Sequence, residues 1–234
     1  MSNPVYAAIF DMDGVLVDTY HAHFQSWLEV ARSAGLTFTE EQFAPTFGRT
    51  SREIIAKFWG PQLTDEAEIA ALDAQKEAAF RRIISRDFPA MPGAGKLLAD
   101  LRAAGFALAI GSSGPPENVA LVLEKLCAGS LFGAVVTGMD VTRGKPDPQV
   151  FLLAAQRLGV PPARCVVIED AAPGVDAAHA AGMRCVGLVS TGRTPQELSA
   201  ADMVVCSLAE LSPQLLRQLI DGAQGKQTID LCET

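Results

Sequence analysis

"VYAAIFDMDGVLVDT", residues 5–19, sets an apolar run directly against three carboxylates, Asp11, Asp13 and Asp18. The run "VYAAIF" has the composition of a strand buried on both faces. Acids crowded at the mouth of a core repel one another and resist loss of solvent. A bound cation is the natural compensation. Whether that holds depends on what else the chain brings to the same place.

Outward from this stretch the chain has two textures. From about residue 89 onward, short β-branched runs recur: "FALAIG" (106–111), "GAVVTG" (133–138), "CVVIED" (165–170), "CVGLV" (185–189) and "ADMVVC" (201–206). Amphipathic stretches separate them, at 93–104, 116–126, 148–158 and 175–181. Continuous apolar strands alternating with helices predict a parallel sheet covered on both faces. Residues 18–87 contain no such strand and read as helices over 19–34, 39–44, 51–58 and 65–86. The last opens on Thr64, Asp65 and Glu66 and closes on Arg81, Arg82 and Arg86, matching both poles of the helix dipole. The expected fold is therefore α/β, a doubly wound parallel sheet of Rossmann-like form built from residues 1–17 and 88–234. A helical domain, residues 18–87, is inserted after the first strand.

Composition bounds the function. Of 234 residues, 49% are apolar and 20% charged, as in a soluble globular protein with a full core. A net charge of −8 argues against nucleic acid or an anionic membrane as the main partner. No apolar run approaches the ~20 residues of a membrane span. The start "MSNPVYAAIFDMD" lacks the basic region of a signal peptide, so a cytoplasmic location is expected. Cys127, Cys165, Cys185, Cys206 and Cys232 show no paired spacing and read as reduced thiols.

Ligands of open α/β sheets bind beyond the carboxyl ends of the strands. Asp11 and Asp13 follow the first strand, and Ser112 and Ser113 follow "ALAIG". Lys145 comes shortly after "AVVTG", and Glu169 with Asp170 close "CVVI". Four strands thus deliver carboxylates, hydroxyls and an ammonium to one edge. This is an inventory for handling phosphate with a divalent metal: carboxylates hold Mg²⁺, while hydroxyl, backbone N–H and lysine take phosphate oxygens.

"DMDGVLVDT", "GSS", "KPDP" and "IEDAAPGV" resemble the four ordered motifs of the haloacid dehalogenase superfamily of phosphotransferases. The resemblance spans essentially the whole chain, since the helical insert falls where that family carries its C1-type cap. It is nearest the β-phosphoglucomutase-like and sugar-phosphatase group. The resemblance implies that Asp11 is the nucleophile forming an aspartyl-phosphate. Asp13 is then the general acid and later the base, and lends its backbone carbonyl to the metal. Asp170, with Glu169 directly or through water, completes the Mg²⁺ shell with Asp11. Ser112, Ser113 and Lys145 hold the phosphate, with Lys145 and Ser112 expected opposite the metal. Members that break carbon–halogen or carbon–phosphorus bonds lack the acid at position 13, so phosphoester chemistry follows.

Several residues have plainer readings. Asp18 and Thr19 read as caps of the first insert helix, and Asp147 as a helix cap before Pro148. Ser113 can act through its backbone alone, and Glu169 can stand behind the metal ligands. His179 reads as a surface or packing residue. In the insert, His23 and Trp27 share a helix face and match a His and a Trp of the mutase group by spacing. They either contact substrate or edge an amphipathic helix. Lys76, four residues from both Leu72 and Phe80, either snorkels to water or meets substrate. Arg49 and Arg52 in "GRTSRE" suit gripping an anion, though solvated arginines are commoner.

The expected function is a Mg²⁺-dependent phosphomonoesterase acting on a small phosphorylated metabolite such as a sugar phosphate, with a monomer favoured. The alternative is a phosphosugar mutase, and a non-catalytic phosphorylated signalling domain comes third. The choice between the first two rests on "GSSGPPENV", residues 111–119. The resemblance implies that a mutase grips a distal phosphate with polar and basic side chains just after the second motif. Here Gly114, Pro115 and Pro116 stand in their place, followed by the acid Glu117.

Overall fold

The computed structural model describes residues 6–222. Among them are six strands, β1 (Ala7–Phe10), β2 (Ala107–Gly111), β3 (Ala134–Val136), β4 (Cys165–Glu169), β5 (Arg184–Leu188) and β6 (Met203–Val205). Four helices precede β2 at α1 (Tyr20–Ser33), α2 (Glu40–Phe43), α3 (Ser51–Trp59) and α4 (Glu66–Arg86). A fifth, α5 (Ala94–Ala103), leads into that strand. Then come α6 (Pro116–Lys125), α7 (Gln149–Leu158), α8 (Ala172–Ala180) and α9 (Pro213–Ile220). The chain divides into two compact units, one running through Asp18 and resuming at Ala90, the other Thr19–Pro89.

The first unit is a single parallel sheet of order β3-β2-β1-β4-β5-β6. β1 sits centrally because all four of its residues are apolar and fully buried, so neither face can meet water. Ile9 pairs with Ala109 on one side and Val167 on the other. These three face Val150, Phe151 and Ala154 of α7 and Val175, Ala177 and Ala178 of α8 in one core cluster. The opposite face takes α5 against β2 and α9 against β4. Helices cover both faces, as continuous apolar strands require. Each fully buried Ile or Phe here contributes about 1.5–3 kcal/mol relative to exposure.

The second unit is helical, with α1 packed on α4. Its core is mostly aromatic: Tyr20, Trp27, Phe38, Phe43, Phe47 and Trp59 are all buried in one cluster. α3 starts with a reciprocal capping box between Thr50 and Glu53, and Asp65 caps α4 by accepting from Ala67 N at 2.7 Å.

Two local expectations change. Thr19 does occupy the N-cap position of α1, but its side chain makes no capping bond. Its backbone is helical (φ −94°, ψ 0°) rather than extended, which turns the side chain from the first-turn amides. Asp18 Oδ2 instead accepts from Thr191 Oγ1 at 2.6 Å. Cys127, Cys165 and Cys185 are free, and burial pushes the Cys165 thiol up to about 12. Cys206 is exposed just past β6, outside the packed core. Cys232 lies outside the described residues. Among the described residues, no helix is long and apolar enough to cross a membrane.

Candidate active site

β1 is flanked by β2 on one side and β4 on the other, so chain direction through the sheet reverses beside it. That switch point leaves a crevice beyond the strand ends. Asp11 is anchored there by its backbone N–H, which donates to Ile168 O at 2.9 Å. Gly14 then turns the chain at φ +77°, a conformation costly for any residue with a Cβ, and its N–H donates to Val17 O at 2.9 Å. Close approach excludes a side chain as well: a Cβ at Gly14 would lie 2.1 Å from Asp170 Oδ2.

β4 brings Glu169 and Asp170 to the same edge. Asp11, Glu169 and Asp170 are all buried, and one oxygen from each lies within 4.8 Å of the others. Lys145 Nζ donates to Asp11 Oδ1 at 2.7 Å and Glu169 Oε1 at 2.6 Å. Two buried anions thus share this one ammonium. Its loop is held by Gln149 Oε1, which accepts from Thr142 N at 2.9 Å and Arg143 N at 3.1 Å. The N-cap of α7 is Pro148 rather than Asp147, which lies one residue earlier, accepts from Gln149 N at 3.0 Å and pairs with Arg143 at 3.0 Å. The Lys145–Pro146 peptide is cis.

Ser112, 1% exposed, follows β2 and accepts from Gly114 N at 3.0 Å through its hydroxyl oxygen. Ser113 beside it is half-buried. A Cβ at Gly114 would lie 3.3 Å from Ser112 Oγ and 3.8 Å from Asp13 Oδ2, so serine and aspartate flank this glycine. Glu169 Oε2 accepts from Asp170 N at 2.9 Å and Ala171 N at 3.0 Å, fixing the turn that leads into α8.

The electrostatics follow from this crowding. Burial holds the Asp11 carboxyl well above the usual range; Lys145 pulls it down, while Glu169, Asp170 and Asp13 push it up. Asp170 is raised by burial and by Glu169, against the pull of Arg193, Ser190 and Lys145. For Lys145, burial works against the charge, but Asp11 and Glu169 outweigh it and raise its pKa. One ammonium leaves the carboxylates mutually repelled. The donors are hard oxygens without imidazole or thiolate, a set that fits Mg²⁺.

Ser190 and Arg193 escaped the sequence reading. Ser190 Oγ donates to Asp170 Oδ2 at 2.9 Å, and Arg193 Nε stands 3.5 Å from the same oxygen. Both follow β5, so the strand-end rule that found the other residues also points to them.

The remaining candidates belong to the second unit. Lys76 does not snorkel: it is 3% exposed, its Nζ 2.8 Å from His23 Nδ1 and 2.8 Å from Glu77 Oε1. The Nζ also lies 5.6 Å from the Trp27 ring and 5.5 Å from Phe80. His23 stacks on Phe80 at 4.0 Å, and Trp27 is buried in the aromatic core. Arg49 and Arg52 are exposed, and Arg52 pairs with Glu66 at 2.9 Å. His179, in the first unit, is an exposed partner of Asp202 at 2.9 Å.

Residues 5–182 match the family described as haloacid dehalogenase-like hydrolase. A β-phosphoglucomutase of Bacillus subtilis is 35% identical over 91% of this chain and 94% of its own length. Hexitol phosphatase A of Escherichia coli is 36% identical over 87% and 92% respectively. Among solved structures, a β-phosphoglucomutase from Clostridium difficile superposes with a TM-score of 0.84 at 26% identity, covering 94% of this chain and 98% of that one.

Proposed function

The chain belongs to the haloacid dehalogenase-like hydrolase family, and on that premise we propose that it is a Mg²⁺-dependent phosphomonoesterase of small phosphorylated metabolites, sugar phosphates foremost. The observation that supports this most is the convergence of Asp11, Glu169 and Asp170 around Lys145, with Asp13 and Ser112 adjoining. A hexitol phosphatase and a phosphoglucomutase among its relatives support the sugar phosphate.

In this reading an Asp11 oxygen attacks phosphorus and becomes phosphorylated as the ester oxygen departs. Asp13 gives its proton to that oxygen, and as a carboxylate then takes one from the water that attacks phosphorus. Inorganic phosphate leaves and Asp11 is restored. Lys145 spends two of its three N–H donors on Asp11 and Glu169, and the third serves a phosphate oxygen. The Ser112 oxygen already accepts from Gly114 N, so its own hydrogen serves another. Asp11, Asp170 and the Asp13 carbonyl would hold Mg²⁺, and bound Mg²⁺ supplies neutralising charge for the phosphoryl group. Glu169 would stand behind these ligands, since Lys145 and two backbone amides already claim its oxygens.

Hydrolysis is preferred over mutase chemistry because the turn after Ser112 offers no cation. Pro115 and Pro116 open α6 without side-chain donors, and Glu117, exposed in its first turn, would repel a second phosphate. Losing charge-assisted hydrogen bonds there forfeits ~1.5–3 kcal/mol each for a distal phosphate. The test is a screen of phosphorylated metabolites with Mg²⁺, including β-glucose 1-phosphate with catalytic glucose 1,6-bisphosphate. Inorganic phosphate released from a sugar phosphate supports the proposal. Rapid glucose 6-phosphate with little free phosphate from any substrate overturns it in favour of the mutase.

A further inference from the structure

We propose that Ser190 and Arg193 are positioning residues that restrict Asp170 to one ligating oxygen and so make the carboxylate cluster select Mg²⁺ over Ca²⁺. The proposal rests on the cation site described above and goes beyond it. Asp170 is 3% exposed, and its Oδ2 takes the Ser190 hydroxyl at 2.9 Å with the Arg193 guanidinium 3.5 Å away. The same oxygen is seated against Gly14, 2.1 Å from where a Cβ would stand. Oδ2 is thereby occupied from the protein side, and Oδ1 is the oxygen left to a cation.

The clamp is itself held. Arg193 N donates to Ser190 O at 3.0 Å, closing a turn, and Val189 N donates to Val205 O at 2.8 Å. Thr191 ties the loop to Asp18 at 2.6 Å, at the far end of the segment that starts with Asp11. A bidentate Asp170 would have to swing Oδ2 toward the cation, losing the Ser190 bond and leaving Arg193. Mg²⁺ binds single carboxylate oxygens at about 2.0–2.1 Å in a strict octahedron, so it loses nothing by this restriction. Ca²⁺ is larger, takes more oxygens and readily binds carboxylates through both, so it loses a ligand. The Arg193 charge repels both divalent ions alike and cancels in their ratio.

The experiment measures Kd for Mg²⁺ and for Ca²⁺ by calorimetry on the metal-stripped full chain at one fixed pH. Wild type is compared with Ser190→Ala, Ser190→Thr and Arg193→Gln, each checked for native circular dichroism. Outer partners of metal ligands typically govern about 10-fold or more in affinity. Ser190→Ala should therefore weaken Mg²⁺ by about 10-fold and Ca²⁺ far less, collapsing the preference, while Ser190→Thr keeps it. Arg193→Gln should shift the ratio in the same direction whatever it does to either affinity. Ratios unchanged in both Ser190→Ala and Arg193→Gln overturn the clamp while leaving the cation site standing. Should Ser190→Ala not fold, the ratio in Arg193→Gln decides. Wild-type protein that binds neither ion overturns the cation site itself, and the clamp with it.

Discussion

Replacing Gly174 with alanine sets helix propensity against the site, and the two disagree in sign. Gly174 lies in the first turn of α8, where Gly→Ala should stabilise by up to about 1 kcal/mol on propensity alone. A Cβ there, however, would lie 1.9 Å from Glu169 Cδ and Oε1 and 2.5 Å from Oε2. A side-chain end can often swing aside cheaply, but this one is 1% exposed and bonded to Lys145, Asp170 N and Ala171 N. Moving it breaks a buried ion pair and two backbone hydrogen bonds, a loss of about 3–5 kcal/mol for such a pair. Offset by propensity, the net destabilisation is about 2–4 kcal/mol. Urea unfolding followed by circular dichroism, on metal-free wild type and Gly174→Ala, measures it. The penalty should shrink in a Glu169→Ala background, where the clash is gone. A Gly174→Ala protein as stable as wild type, or more so, would show that Glu169 can move aside at no cost.

Other outcomes follow from the same geometry. Asp13→Asn should lose about 10²–10⁴-fold in turnover, the usual worth of a positioned proton donor, with the smallest loss on good leaving groups; equal loss on good and poor ones would contradict its role. Chelation with EDTA should stop phosphate release and added Mg²⁺ restore it; activity indifferent to EDTA would remove the metal from the scheme. Asp140 is held down to about 2, first by its hydrogen bond from Arg157 and then by the Thr137 amide and hydroxyl. A carboxyl lowered from its usual 3.8 adds stability fully present above 3.8 and lost as pH falls toward about 2. Asp140→Asn should thus lower the thermal midpoint at neutral pH, with the gap closing on acidification; a gap constant with pH would contradict the pairing.

The sheet was legible because burial on both faces leaves near-continuous apolar runs, as in "AAIF" and "CVVI". The core residues Asp11, Ser112, Lys145, Glu169 and Asp170 were legible for a related reason, since in a parallel sheet every strand ends at the same edge. That logic stops where partners are fixed by distant packing. Asp18 looks like a local cap, but its bond is to Thr191, 173 residues away. Lys76 could be read as snorkelling because nothing nearby in sequence reveals that His23, 53 residues earlier, meets its Nζ. Ser190 and Arg193 lie in "VSTGRTP", where no acid or repeated spacing draws notice. Extending the strand-end rule to β5 would have exposed them.

In the proposed reaction Asp11 carries the phosphoryl group between departure of the leaving group and hydrolysis. Rapid acid quenching of turnover on a phosphoryl-radiolabelled sugar phosphate, followed by peptide mapping, tests it most directly. A hydroxylamine-labile label is expected on the peptide containing Asp11, longer-lived in Asp13→Asn and absent from Asp11→Asn, which should release no phosphate. Phosphate released by Asp11→Asn at the wild-type rate, or label fixed to any other residue, would contradict it.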